Sequence, residues 1–209
     1  MKDLYNNIKI FRKKIFPDYR DLFTKLKDKQ NPHTLFITCS DSRINPALIT
    51  GTEPGELFLI RNVANLIPPY DKKNKHTGTV SPLEYAVQVL SVKSIIVCGH
   101  SNCGGCAALY YPREKLQALP ATKTWLKLAC NVRDTILKQE KKTADSGQER
   151  ALLTEQLNIK TQLANLQTYP FVSRKVKSGN LQIIGWYYII HSGKIFQFDK
   201  KKDKFIAVD

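Results

Sequence analysis

Residues 34–43 read TLFITCSDSR, and this stretch decides the fold class. Thr34–Thr38 is a short run of apolar and β-branched residues, the pattern of a strand buried on both faces. It ends in a thiol, a carboxylate and a guanidinium: Cys39, Asp41 and Arg43, each separated from the next by one serine. A second run of the same kind, Ser94–Cys98 (SIIVC), leads into Gly99-His100-Ser101-Asn102-Cys103-Gly104-Gly105-Cys106. Gly99–Asn102 reads as a turn, and a helix is expected from about Cys103. Continuous apolar strands alternating with helical periodicity predict an α/β fold, with a mostly parallel central sheet flanked by helices.

Working outward, Asn45-Pro46 opens a short helix, because proline suits a first helical turn. Leu57–Arg61 is a further strand. Asn65–Thr79 reads as loop, and Leu83, Ala86, Val87 and Leu90 mark a helix. Residues 122–139 and 147–168 read as two helices joined by a polar link. A C-terminal β-hairpin is expected from Leu181–Ile190 and Ile195–Asp199, around His191-Ser192-Gly193-Lys194. Before the first strand, Leu4, Ile8, Phe11 and Ile15 fall at helical spacing, and the series restarts with Tyr19, Leu22, Phe23 and Leu26. Two amphipathic helices broken at Pro17 are predicted, followed by a turn at Gln30-Asn31-Pro32. The chain thus reads as a single domain over residues 1–209, with residues 1–30 as an N-terminal helical arm.

The formal net charge of +15 raises the question of nucleic acid. The basic residues are dispersed, however, over segments such as Arg12-Lys13-Lys14, Lys72-Lys73, Lys141-Lys142 and the tail at Lys200-Lys201-Lys202. They lack interleaved aromatics, so no nucleic-acid partner is expected. No apolar run approaches the roughly 20 residues of a membrane helix. The N-terminus has no apolar leader segment, so no membrane association and a cytoplasmic location are expected. Cys39, Cys98, Cys103, Cys106 and Cys130 number five. In a chain of this size and reading, metal or thiol chemistry is a better account of them than a disulfide framework.

In a parallel sheet, ligands bind beyond the carboxyl ends of the strands. If strands 34–38 and 94–98 are neighbours, Cys39, His100 and Cys103 converge. Two thiolates and an imidazole suit zinc, and three protein ligands leave a fourth place open. Cys103 at a helix start also favours the thiolate. Cys106 has three readings: a fourth ligand that closes the site, a redox partner of Cys103, or a small buried residue on the next helical turn. The alternatives to an open catalytic site are therefore a noncatalytic Cys3His zinc module and a thiol–disulfide oxidoreductase using Cys103-x2-Cys106. His76 reads as a solvated loop histidine, with proton relay as the alternative.

CSDSR followed by GHSNCGG resembles the β-class carbonic anhydrases. The likeness extends to EPGELF (53–58), RNVANLIPPY (61–70) and EYAV (84–87), and is strong over residues 30–110. The resemblance implies one Zn2+ per chain on Cys39, His100 and Cys103, and Asp41–Arg43 as the catalytic dyad. It implies a substrate pocket that includes Gln30, Phe58, Tyr85 and Gly104. The implied reaction is reversible hydration of CO2 to bicarbonate and a proton, by zinc-bound hydroxide oriented by the dyad. Zinc brings its water to a pKa of about 7 in the unrelated tris-histidine carbonic anhydrase. With two thiolates on the ion, a higher value is expected here. The family has a form in which the aspartate itself ligates zinc, marked by Trp three residues before the first cysteine. Phe36 stands at that position, and Gln30 matches the open, water-ligated form. Members resembling this chain assemble, so a homodimer or tetramer is expected, with Gln30 and Tyr85 acting across an interface.

Overall fold

The structure, a computed structural model, describes residues 2–73, 76–140 and 147–208. The expected link between the two long helices falls at residues 141–146, outside the described residues. The chain divides into two compact units, Met1–Asn31 and Pro32–Asp209.

In the first unit, α1 (Lys2–Ile10) and α2 (Phe16–Leu26) are joined by one π-helical turn, Phe11–Ile15. The break expected at Pro17 is absent. Pro17 sits in the first turn of α2, where a missing N–H is tolerated, and the Phe16 N–H reaches the Phe11 carbonyl across the wider turn. None of the helical residues is buried, and Leu4, Tyr5, Ile8 and Phe11 are exposed. Phe16 stacks on Phe23 with ring centroids 5.7 Å apart.

The second unit is built on a six-stranded sheet. Its elements in chain order begin with β1 (Thr34–Cys39), α3 (Pro46–Thr50), β2 (Leu57–Asn62), α4 (Thr77–Glu84) and β3 (Ser94–His100). Helices α5 (Gly104–Ala107), α6 (Arg113–Gln117), α7 (Pro120–Leu126), α8 (Cys130–Glu140), α9 (Gly147–Gln167) and α10 (Pro170–Lys177) follow. The chain returns with β4 (Gln182–Tyr188), β5 (Ile195–Asp199) and β6 (Lys204–Ala207). The strand order is β2-β1-β3-β4-β5-β6, parallel from β2 to β4 and antiparallel beyond. The mostly parallel sheet and the hairpin at its end are therefore as expected. All six residues of the β1 strand TLFITC are buried. Leu35, Ile37, Ile95 and Val97 face Ile159, Leu166 and Tyr169, while Phe36, Ile96 and Cys98 occupy the other side of the sheet.

Three further expectations need correction. The turn after the third strand is shorter than the sequence suggested. β4 runs alongside β3 far enough for His100 to pair with Tyr188, which leaves only Ser101-Asn102 to turn. Helix α4 begins inside the expected loop, at Thr77, and continues as a π-helical turn over Tyr85–Val89. Lys200-Lys201-Lys202 is not a tail but part of the turn between β5 and β6.

Helix α9 supplies a polar row, buried except at half-buried Asn165, rather than a purely apolar one. Glu155, Asn158, Gln162 and Asn165 recur every three or four residues and so share a face. Asn158 donates to the Ala64 carbonyl at 2.9 Å, and Asn165 donates to the Ile67 carbonyl at 2.8 Å. Gln162 accepts the Ile67 N–H at 2.8 Å. The row thereby satisfies a buried irregular segment after β2 that includes Ala64 and Asn65 at positive φ.

Candidate metal centre

β1 and β3 are hydrogen-bonded neighbours, with Thr38 opposite Cys98. Their carboxyl ends therefore emerge side by side. The Cys39 and Cys103 Sγ atoms lie 3.9 Å apart. A ligand atom from each of Cys39, His100 and Cys103 lies within 4.8 Å of the other two, and all three residues are buried. Cys106 is buried just behind Cys103 but is not part of this group.

The imidazole shows which face is meant for a ligand. His100 Nδ1 sits 3.0 Å from the Ser101 carbonyl, so Nδ1 carries the proton and donates. Nε2 is buried and, among the described residues, has no hydrogen-bond partner. A bare imidazole nitrogen facing two sulfurs fits a soft or borderline metal ion. This fit rests on the donor set and the orphaned nitrogen together.

Around the cluster, Asp41 and Arg43 form a two-pronged pair. Arg43 Nε donates to Oδ1 at 2.9 Å and Nη2 donates to Oδ2 at 2.7 Å. The Arg43 backbone N–H adds a third bond to Oδ1 at 3.0 Å. Arg43 Nη2 also reaches the Asn102 carbonyl at 3.0 Å, which ties the β1 end to the β3 turn. Asp41 Oδ2 lies 3.9 Å from His100 Nε2, at the edge of the cluster. The Arg43 guanidinium holds the Asp41 carboxyl well below the usual carboxylate range. Arg61 braces the same loop by donating to the Cys39 carbonyl at 3.1 Å and the Asp41 carbonyl at 2.7 Å. The sequence reading assigned Arg61 no role.

Residues 34–195 match a family model described as carbonic anhydrase. A carbonic anhydrase from Helicobacter pylori is 36% identical over 201 residues, covering 95% of this chain and 90% of the relative. The solved β-carbonic anhydrase CcaA superposes with a TM-score of 0.94 at 38% identity, over 100% of this chain and 99% of that one. The chain belongs to the β-carbonic anhydrase family. One of two tetrameric β-carbonic anhydrases from Sordaria macrospora also superposes, at a TM-score of 0.72 and 29% identity, over 94% of this chain and 92% of that one.

The Cys39 thiol is pushed up to about 12 by its hydrogen bond to Cys103 and then by burial. Cys103 is likewise pushed up to about 12, first through its contact with Cys106. The helix start invoked in favour of its thiolate is a single turn, Gly104–Ala107, and does not outweigh these causes. Without a cation the pair holds its protons, and metal binding must displace them.

Of the residues the resemblance assigned to a substrate pocket, those in the second unit do not all lie at this centre. Phe58 and Tyr85 do meet each other, with stacked rings 6.0 Å between centroids. Phe58 pairs with Leu35, however, four residues before Cys39 on β1, which at the usual rise is about 13 Å of strand. Tyr85 is 44% exposed. Gly104 follows Cys103 directly, and a Cβ there would meet nothing within 4 Å. Gln30 is exposed, in the N-terminal unit. His76 is half-buried at the start of α4, its ring edge-on to Trp125 at 5.7 Å, rather than free in solvent.

Glu155 was missed in the sequence. It is 3% exposed, and Oε1 accepts the Cys103 backbone N–H at 2.8 Å while Oε2 accepts the Tyr187 hydroxyl at 2.7 Å. Its signal was present: the polar residues on one face of the predicted helix over 147–168.

Proposed function

We propose that this β-carbonic anhydrase carries out CO2 + H2O ⇌ HCO3⁻ + H⁺ with one zinc ion held by Cys39, His100 and Cys103. The orphaned, buried Nε2 of His100 beside two sulfurs is the observation that carries the reading. Zinc when bound supplies a water acidified enough to act as nucleophile near neutral pH. Asp41 accepts the nucleophile's remaining proton in a hydrogen bond and so turns a lone pair toward the carbon of CO2. Arg43 keeps Asp41 ionised and fixes its orientation. Both Asp41 oxygens are engaged by Arg43, which favours the open form in which Asp41 stays off the metal.

Phe58 and Tyr85 supply an apolar wall for CO2, and Gln30 and Gly104 complete the substrate contacts. The distance along β1 between Phe58 and Cys39 supports a pocket completed by a second copy of the chain, in a homodimer or tetramer. The exposed apolar residues of the N-terminal helices support the same assembly. CO2 and bicarbonate are the only small-molecule partners in this reading, the compartment is the cytoplasm, and nucleic acid and membranes have no part in it. Among the described residues no helix is long and apolar enough to cross a membrane.

X-ray absorption on the purified metalloprotein is expected to show two sulfur, one nitrogen and one oxygen ligand. Three sulfurs and one nitrogen would place Cys106 on the metal and replace this reading with a closed structural module. Asp41→Asn is expected to keep the metal and lose CO2 hydration by about a hundredfold, within the usual range for a positioned proton acceptor. An unchanged rate would remove Asp41 from the mechanism.

A further inference from the structure

The two ends that build the metal centre are held differently, and the second has a support from far along the chain. Asn102 lies in the left-handed region, at φ 56°, where asparagine is tolerated but still pays in strain. The turn it makes carries both a metal ligand, Cys103, and the carbonyl that receives Arg43. Within the turn there is no side-chain cap: Cys103 stands at the N-cap of α5 without a side-chain hydrogen bond to the helix. Instead the Cys103 N–H is taken by Glu155 of α9, 52 residues later. The other Glu155 oxygen is fixed by Tyr187 of β4. The carboxylate is therefore pinned on one side by the sheet and in turn pins the strained turn. It differs from its row-mates Asn158, Gln162 and Asn165, which satisfy the segment after β2 or one another.

We propose that Glu155 is a positioning residue for the metal centre: bridging Tyr187 and the Cys103 amide, it holds the Asn102-Cys103 turn so that the Cys103 sulfur faces Cys39 and His100 and the Asn102 carbonyl faces Arg43. The proposal rests on the reading of Cys39, His100 and Cys103 as zinc ligands. Residues that orient a ligand in this way commonly change metal affinity by 10- to 100-fold when replaced.

The test uses the full chain with cobalt(II) as a spectroscopic stand-in for zinc. Wild type is expected to take one equivalent and to show a thiolate-to-cobalt charge-transfer band. A wild type that binds none overturns the zinc reading itself and this proposal with it. Glu155→Gln keeps the size of the side chain and presents a neutral acceptor to the Cys103 amide, so it decides the matter. It is expected to bind zinc about tenfold more weakly in chelator competition, with a shifted cobalt band, while the metal-free melting temperature stays near that of wild type. Glu155→Ala is expected to weaken binding by about a hundredfold. A purely structural carboxylate predicts something else: melting temperatures lowered equally with and without metal, and an unmoved cobalt band. A Glu155→Gln protein with wild-type zinc affinity and a wild-type cobalt spectrum overturns the proposal, whatever becomes of Glu155→Ala.

Discussion

The loop after β1 and the loop after β3 each deliver a piece of the same centre, yet they are built on opposite plans. The first is nearly self-sufficient. Asp41 and Arg43 lock together two residues apart, the Arg43 amide returns to Asp41, and from the adjacent strand come Arg61 and the Asn62 carbonyl, which accepts the Ser40 N–H. The second is a two-residue turn with a strained asparagine, held by side chains from Arg43 and from α9. A loop that closes on itself can be read from a pentapeptide. A loop held from outside can be recognised by its ligands but understood only once the distant helix is placed.

The contrast between the loops is tested most severely at the ligands. Cys103→Ser is expected to reduce retained metal from one equivalent to near zero, and hydration with it, as measured by metal analysis after gel filtration. Cys39→Ser should do the same. A variant that kept a full equivalent would show that its loop does not contribute a ligand.

Proton competition should come next in size. Thiol contacts and burial push Cys39 and Cys103 both up to about 12, so binding one divalent ion is expected to release two protons. Zinc affinity should then strengthen with rising pH by about a hundredfold per unit, through neutral pH and upward. Chelator competition at several pH values checks the slope, and a slope near one proton would mean that one thiol is already ionised.

Packing under the β3 loop gives a smaller effect. A Cβ at Gly105 would lie 2.8 Å from the Ala64 Cβ and 2.9 Å from the Ala64 backbone nitrogen. Backbone cannot step aside as a flexible side chain can. Gly105→Ala is expected to destabilise the protein by about 2 kcal/mol, read from denaturant unfolding. Gly104→Ala meets nothing within 4 Å and should change stability by less than about 0.5 kcal/mol.

A similarly small effect is at the β1 loop. The folded pKa of Asp41 is depressed by Arg43. Its stabilisation is therefore fully present above the unfolded carboxyl value of about 4 and is lost as pH falls below it. Arg43 is 47% exposed at the side chain, which limits the gain to about 0.5 kcal/mol. The stability difference between wild type and Arg43→Gln should be present at neutral pH and vanish in acid; a difference that grew in acid would contradict the ion pair.

The parallel sheet was legible in the sequence because its central strands are buried on both faces and so read as unbroken apolar runs. The convergence of Cys39, His100 and Cys103 was legible because two thiols and an imidazole at strand ends make a poor packing group and a good donor set for a borderline metal ion. What escaped has a common cause. Glu155 acts across 52 residues, and a polar face on a predicted helix does not say what it will meet. The end of β3 was set too early because pairing with β4, not local sequence, carries the strand through Gly99 and His100. Pro17 was overread because a proline ends a helix in its interior but is accommodated in a first turn. Strand β6 was passed over because its four residues, KFIA, follow a run of lysines and carry too short an alternation to be seen.

The left-handed backbone of Asn102 also constrains how this chain can evolve. Glycine and aspartate can replace it at little conformational cost, whereas valine, isoleucine and threonine are closed off there, since branching at Cβ opposes that conformation. A position outside the Cys39–His100–Cys103 cluster is thus restricted by a backbone dihedral rather than by chemistry.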